Sequence, residues 1–214
     1  MAHRLQSPAA MSEEVVDDWS FDDDLPPSLH LKAAVHFTPI MVARHAARLL
    51  AVEPGTSVLD VGSGVGKFCV AAAQEVPDAR FVGVEQRPHL VAIANQLARR
   101  WALWNVEFIH GDALALDWSA YDGFYFYNPF AEQLRGTAFV LDDTLELAPA
   151  NFAFYVAAVI QRLAEARVGT RVVTYHGFGG HPPCGYELVS DEKMGSDRME
   201  LWVKGWSGRP GEVT

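Results

Sequence analysis

The sequence predicts a single α/β domain in which a mostly parallel sheet is sandwiched between helices as three layers. Three observations carry this. Five short apolar runs of strand length alternate with stretches of helical periodicity. The first of these runs passes through three glycines directly into a helix. Two further runs near the end of the sequence form an antiparallel closing pair, for seven strands in all. Parallel strands joined by helices need right-handed crossovers, and these place helices on the faces of the sheet.

Taken in order, residues 1–27 read as an acidic, flexible lead-in that stops at Pro26-Pro27, and residues 28–214 as one domain. Between residues 11 and 24 there are seven acids (Glu13, Glu14, Asp17, Asp18, Asp22, Asp23, Asp24) and no base, a composition that favours solvent over packing. Trp19, Phe21 and Leu25 among them support a second reading, an arm that folds over the site or binds a basic partner. Ser28 caps a helical stretch over 30–36, and Thr38-Pro39 opens a helix over 39–50. Glu53-Pro54-Gly55 turns into the first strand, carried by Val58, Leu59 and Val61. A helical pattern follows over 68–76, then a strand over 80–85. Pro88 opens a helix with one apolar stripe of Leu90, Ile93, Ala94, Leu97 and Trp101. Strands are expected over 106–109 and 123–127. Residues 134–148 are weakly amphipathic, and a helix over 152–166 ends before Gly169. The fifth strand spans 171–175 and the closing strands span 186–189 and 199–204.

The chemistry concentrates at the first turn. Asp60 lies near the carboxyl end of the first strand, two residues before Gly62, and Gly62, Ser63, Gly64 and Gly66 form the loop. A strand-loop-helix unit aims amide groups and a positive helix end at whatever lies over the loop, as a nucleotide-type cofactor site requires. A phosphate-gripping P-loop needs Ser or Thr after its Gly-Lys pair, and here Phe68 follows Lys67. A dinucleotide fingerprint needs its last glycine where Lys67 stands. A carboxylate at Asp60 repels a pyrophosphate and suits an ammonium group. Glu85 ends the second strand, where an acid can accept hydrogen bonds from both ribose hydroxyls. Dinucleotide enzymes share that device, so a dinucleotide-dependent oxidoreductase stands as the second reading.

The order Asp60-x-Gly-x-Gly-x-Gly66, Gly83-Val84-Glu85, Gly111-Asp112-Ala113 and Asn128-Pro129-Phe130 resembles the motif set of the class I S-adenosylmethionine-dependent methyltransferases. The form of these pieces is similar to the non-SET histone lysine methyltransferases over residues 36–178, in the cofactor half alone. The resemblance implies a seven-stranded sheet whose last inserted strand is antiparallel, with S-adenosyl-L-methionine as cofactor. It assigns Asp60, Gly62, Ser63, Gly64, Gly66, Glu85, Gln86, Asp112, Ala113 and Asn128 to cofactor binding, with Asp112 and the amide after it at adenine. It assigns Asn128 and Phe130 to the methyl-transfer step, and implies that the segment around Phe37 and Thr38 closes over the cofactor. Of the aromatic residues by the fourth strand, only Tyr127 or Phe130 can face an acceptor.

Half of the residues are hydrophobic, as globular α/β proteins require. The net charge of −10 and the lack of a basic run argue against a nucleic-acid acceptor. No stretch is long and apolar enough to span a membrane, and no signal peptide is read. Cys69 and Cys184 are far apart, which suits a cytoplasmic protein. No metal-ligand spacing is found: His176, His181 and Cys184 read as loop residues lining the substrate cleft, and Ser63 lacks His and acid partners. The expected reaction is methyl transfer to a nitrogen or oxygen of a small molecule or protein side chain. A related protein that holds the cofactor without transfer is the third reading. The oligomeric state is not legible.

Overall fold

The computed structural model describes residues 15–134 and 140–205. One mixed sheet of seven strands runs β3-β2-β1-β4-β5-β7-β6. Its members are β1 Ser57–Val61, β2 Arg80–Glu85, β3 Val106–His110, β4 Gly123–Tyr127, β5 Arg171–Tyr175, β6 Tyr186–Met194 and β7 Asp197–Lys204. The first five are parallel; β7 inserts antiparallel between β5 and β6. This is the three-layer α/β/α arrangement expected from the sequence.

Side chains alternate across the strands. Val58, Phe81 and Tyr125 face α3 (Ile40–Leu50), α4 (Lys67–Glu75) and α5 (Pro88–Arg100). Leu59, Val61, Val82, Val84, Phe124 and Phe126 face α6 (Pro149–Glu165) and a short turn carrying Trp118. β1 and β2 are buried on both faces, so they read as near-continuous apolar runs.

Four expectations are corrected. The acidic lead-in packs onto the domain from Val16 onward. Asp17 caps α1 (Asp18–Asp23) through the Ser20 amide, and Val16, Phe21 and Leu25 are buried. It lies against α3 and α4 rather than over the site: Arg44 Nη2 donates to the Val16 carbonyl at 2.6 Å, and the Val16 amide donates to Gln74 Oε1 at 3.0 Å. Residues 1–14 lie outside the described residues. Second, α2 (Pro27–His36) starts three residues early, because Pro27 at its first position has no N–H to satisfy. Thr38, read as a cap, instead places its hydroxyl 3.1 Å from the buried Tyr125 hydroxyl. Third, α6 starts at Pro149, three residues before the helix expected over 152–166; residues 140–148 form no helix, and 135–139 lie outside the described residues. Fourth, the closing strands are longer than expected, since exposed polar residues extend both of them.

Candidate cofactor and acceptor site

The carboxyl ends of the parallel strands form one edge, and the residues singled out in the sequence gather there. Gly62, Gly64 and Gly66 all have positive φ (79°, 55° and 78°), a conformation other residues reach only with strain. Each also permits a close approach. A Cβ on Gly62 would stand 2.9 Å from the Pro129 Cβ, one on Gly64 3.3 Å from the Phe37 ring, and one on Gly66 2.3 Å from Phe108. The loop thus lies between Phe37 and Pro129 above and the sheet below.

The loop amides are not directed outward as the sequence suggests. Gly62 and Ser63 both donate to the Val84 carbonyl, Gly66 donates to the Ser63 carbonyl, and Gly64 donates to Glu85 Oε2 at 3.1 Å. Four potential anion donors are therefore engaged within the protein.

A cavity of about 210 Å³ opens above this loop. Phe37, Gly62, Gly64, Glu85, Arg87, Tyr127, Asn128, Glu132, His176 and Ser196 contribute to its wall. A smaller cavity adjoins it, with Glu85, Arg87, Pro129 and Glu132 as shared walls and Gln86, Phe130 and Tyr155 as its own. Each is below the roughly 300–1,000 Å³ of a typical ligand pocket. An elongated ligand spanning both, with its middle at Glu85, suits this division.

Glu85 is buried. Burial pushes its carboxyl above the usual range, opposed by the Arg87 amide, the Arg87 guanidinium and the Gly64 amide. Arg87 also bonds Glu132 at 2.5 Å and Asp142 at 3.0 Å. Glu132 lies 3.4 Å from His36 Nδ1, so α2 and the segment after β4 are joined across the cavity. Burial alone would raise Glu132, but His36 and Arg87 outweigh it and hold it low.

Other assignments move. Asp60 does not reach the cavity. It shares the face of Val58, and Cys69 Sγ donates to its Oδ2 at 3.6 Å. Burial pushes its carboxyl up to about 8, which makes it neutral rather than a partner for an ammonium group at pH 7. The Ser63 hydroxyl points at Gly83 and has no hydrogen bond among the described residues. Asp112 caps the short turn Ala113–Ala115 through Leu114 and accepts from the Tyr155 hydroxyl at 3.0 Å. Tyr155 in turn accepts from Gln86 Nε2 at 2.8 Å, so Gln86, Asp112 and Tyr155 form one chain. Phe130 stacks on Tyr155 with centroids 5.1 Å apart and a 12° tilt, in the smaller cavity and away from Asn128. Asn128 lines the larger cavity at φ 46°, its amide donating to the Gly177 carbonyl at 2.9 Å.

Sequence reasoning missed Arg87, Glu132 and Ser196. It placed His176 in the cleft, where the structure also has it. His181 instead lies near the Trp202 ring, and Cys184 is exposed. Among the described residues no group of three or more His, Cys, Asp or Glu is placed to hold a metal ion. No described helix is long and apolar enough to cross a membrane.

Comparison with known proteins agrees with this layout. Residues 52–135 match the family described as a methyltransferase domain. An arsenite methyltransferase from Halobacterium salinarum is 43% identical over 63 residues, 29% of this chain and 16% of that protein. A tRNA (guanine-N(7)-)-methyltransferase from a Synechococcus strain is 49% identical over 51 residues, 24% of this chain and 22% of that one. The chain thus spans under a quarter of the length of either relative. An RNA methyltransferase from Salinibacter ruber, crystallised with S-adenosyl-L-homocysteine, shares the fold at a TM-score of 0.56 and 22% identity. That match covers 83% of this chain and 98% of the other. With its strand order, its glycine loop and the acid that closes β2, the chain has the Rossmann-like fold of these methyltransferases, and residues 52–135 carry its match to the methyltransferase domain.

Proposed function

We propose that this chain binds S-adenosyl-L-methionine along the edge of strands β1, β2 and β4. We propose further that it transfers the methyl group to a nitrogen or oxygen of a small molecule or protein side chain. The observation that carries the cofactor reading is the state of the glycine loop. With Gly62, Ser63, Gly64 and Gly66 all donating internally, the loop offers little to a pyrophosphate, which disfavours a dinucleotide. A ligand whose middle is a ribose fits a buried carboxylate that lines both cavities.

The proposed division of labour follows the walls of the two cavities, with Asp112 joined to them through Tyr155 and Ala113 placed by the resemblance alone. Glu85 accepts the ribose hydroxyls. Gln86, Asp112, Ala113 and the Phe130–Tyr155 stack receive the adenine. Gly62 and Gly64 let the amino-acid half approach the backbone. The cofactor supplies an already activated methyl group, so the protein needs alignment more than acid–base power for the donor. Alignment alone contributes roughly 7–11 kcal/mol in the best intramolecular cases. Asn128 lies in the cavity with Tyr127, and its side-chain amide makes no hydrogen bond among the described residues. That leaves it able to hold an acceptor.

The acceptor is open to a wider class than the charge suggests. The net charge of −10 speaks against a polyanion, while relatives that act on tRNA or RNA by name keep nucleic acid in the assay. Calorimetry with S-adenosylhomocysteine and with NAD tests the cofactor. Binding of NAD alone would overturn the proposal. Labelled S-adenosylmethionine with metabolite, protein and RNA fractions then identifies the acceptor, and Asn128→Ala should lower turnover more than cofactor affinity.

A further inference from the structure

We infer that His176, oriented by Asp197, is a general base facing the acceptor, and that the methylated atom is the oxygen of a hydroxyl group. This rests on the methyl-transfer reading of the same cavity.

His176 follows β5 in the left-handed region (φ 59°), beside Asn128 at φ 46° on the neighbouring strand end. Strain of this kind persists where the surroundings enforce it, and it clusters at functional sites. The imidazole is held at both nitrogens. Nδ1 lies 2.7 Å from Asp197 Oδ2, and Nε2 lies 3.0 Å from Ser196 Oγ. Both His176 and Ser196 line the larger cavity together with Gly62, Gly64 and Asn128.

The hairpin between β6 and β7 delivers these partners. Met194 pairs with Asp197, which leaves Gly195 (φ 53°) and Ser196 as a two-residue turn. Buried Tyr175 fixes that turn: its hydroxyl donates to the Met194 carbonyl at 2.9 Å and accepts from the Ser196 amide at 3.2 Å. The Tyr175 and Tyr127 rings lie 4.6 and 5.4 Å from the imidazole and limit its rotation.

A carboxylate at Nδ1 selects the tautomer with the proton on Nδ1 and leaves the Nε2 lone pair to accept. Ser196 Oγ stands 3.0 Å from Nε2 and also 3.0 Å from the Tyr175 oxygen, which can take the serine proton when an acceptor hydroxyl displaces Ser196 at Nε2. A neutral amine attacks with its own lone pair and sheds its proton afterwards. A hydroxyl is a poor nucleophile unless its proton leaves as the new bond forms, so it is the acceptor that gains from this base. The acceptor oxygen forms its bond to the methyl carbon while the pair from the broken carbon–sulfur bond stays on the donor sulfur, giving a thioether. The hydroxyl proton passes to Nε2, Asp197 balances the imidazolium charge, and the proton then leaves to solvent.

Two measurements test this. In the cofactor-free protein, long-range proton–nitrogen correlation of His176 should show Nδ1 protonated, and Asp197→Asn should abolish that preference. Finding the proton on Nε2 in the wild type would overturn the inference. For turnover, catechol, 4-hydroxybenzoate and glycerol are compared with benzylamine and a lysine peptide, scored by S-adenosylhomocysteine release. Hydroxyl probes should react, and His176→Ala should slow them at least 100-fold, with S-adenosylhomocysteine affinity held within twofold and partial rescue by added imidazole. Turnover of amines alone, of no hydroxyl probe, or of hydroxyl probes at the wild-type rate in His176→Ala each sinks it. Absence of S-adenosylhomocysteine binding to the wild type would instead remove the underlying methyl-transfer reading, a separate failure.

Discussion

The Gly64 amide donates to Glu85 Oε2 at 3.1 Å, so the glycine loop after β1 is fastened to the acid that ends β2. One carboxylate thereby shapes the loop and lines both cavities. Its other oxygen accepts from the Arg87 amide at 2.9 Å, which fixes the side chain before any ligand arrives. A site whose acceptors are already aimed loses less entropy on binding.

Glu85→Ala should weaken S-adenosylhomocysteine binding by about 1.5–3 kcal/mol, the range for hydrogen bonds to a charged group. Calorimetry would show this as a tenfold or greater rise in Kd. An unchanged affinity would place the ribose elsewhere.

The central strands were legible because burial on both faces leaves them almost wholly apolar, as in Val58 to Val61 and Phe81 to Val84. The glycine loop was legible because positive φ and close contact with Phe37, Pro129 and Phe108 admit few other residues. The N-terminal arm was not, since Val16, Phe21 and Leu25 are scattered among acids whose number suggests solvent. The partners of His176 were hidden for a different reason. Ser196 and Asp197 lie twenty and more positions away in sequence, and only the hairpin register brings them back. Gly195-Ser196 between two strand-like runs was the available signal. The orientation of Asp60 could have been read from period two, since Val58 and Asp60 share a face.

Asp60 should leave a mark on stability against pH. Burial pushes its carboxyl from about 3.8 up to about 8, an effect that the Cys69 hydrogen bond reduces and the Glu85 charge reinforces. Between these values the native protein holds a proton that the unfolded chain has lost. Stability from this group is therefore full below about pH 4, falls as pH rises, and is gone above about 8. Asp60→Asn resembles the protonated acid and should remove that slope. Urea unfolding should give matching stabilities near pH 4 and a more stable variant at pH 8, by at least about 2 kcal/mol, since each pKa unit corresponds to about 1.4 kcal/mol. Parallel curves would show that the carboxyl is ionised in the fold.

The Phe130–Tyr155 stack should handle the purine and nothing else. Tyr155→Ala removes an aromatic pair worth about 0.5–1.5 kcal/mol beyond its buried area. It also frees Gln86 and Asp112 from their shared hydroxyl. The Kd of adenosine and that of S-adenosylhomocysteine should rise by the same factor. A loss confined to S-adenosylhomocysteine would put the amino-acid half in this cavity instead.

Lys67 couples the N-terminal arm to the glycine loop. It is the first residue of α4, next to Gly66, and its buried side chain reaches Asp22 at 2.6 Å and Asp18 at 2.8 Å. The ammonium also lies 5.3 Å from the Phe21 ring centroid. A cation held in this way is costly to leave unpaired, but both carboxylates are partly open to water, so screening reduces their contribution. Lys67→Met keeps the apolar stem and deletes the charge, leaving two acids facing each other across the vacated position. A loss of about 1–2 kcal/mol is expected in urea unfolding. Limited proteolysis should begin cutting within residues 15–25 at denaturant levels that leave the sheet intact, because the arm contributes few contacts to the strands. Adding Asp22→Asn to Lys67→Met should restore part of the stability by removing the repulsion, whereas Asp22→Asn alone should destabilise. If the two changes were simply additive, Asp22 and Lys67 would not be coupled, and the arm would be held by Phe21 and Val16 alone.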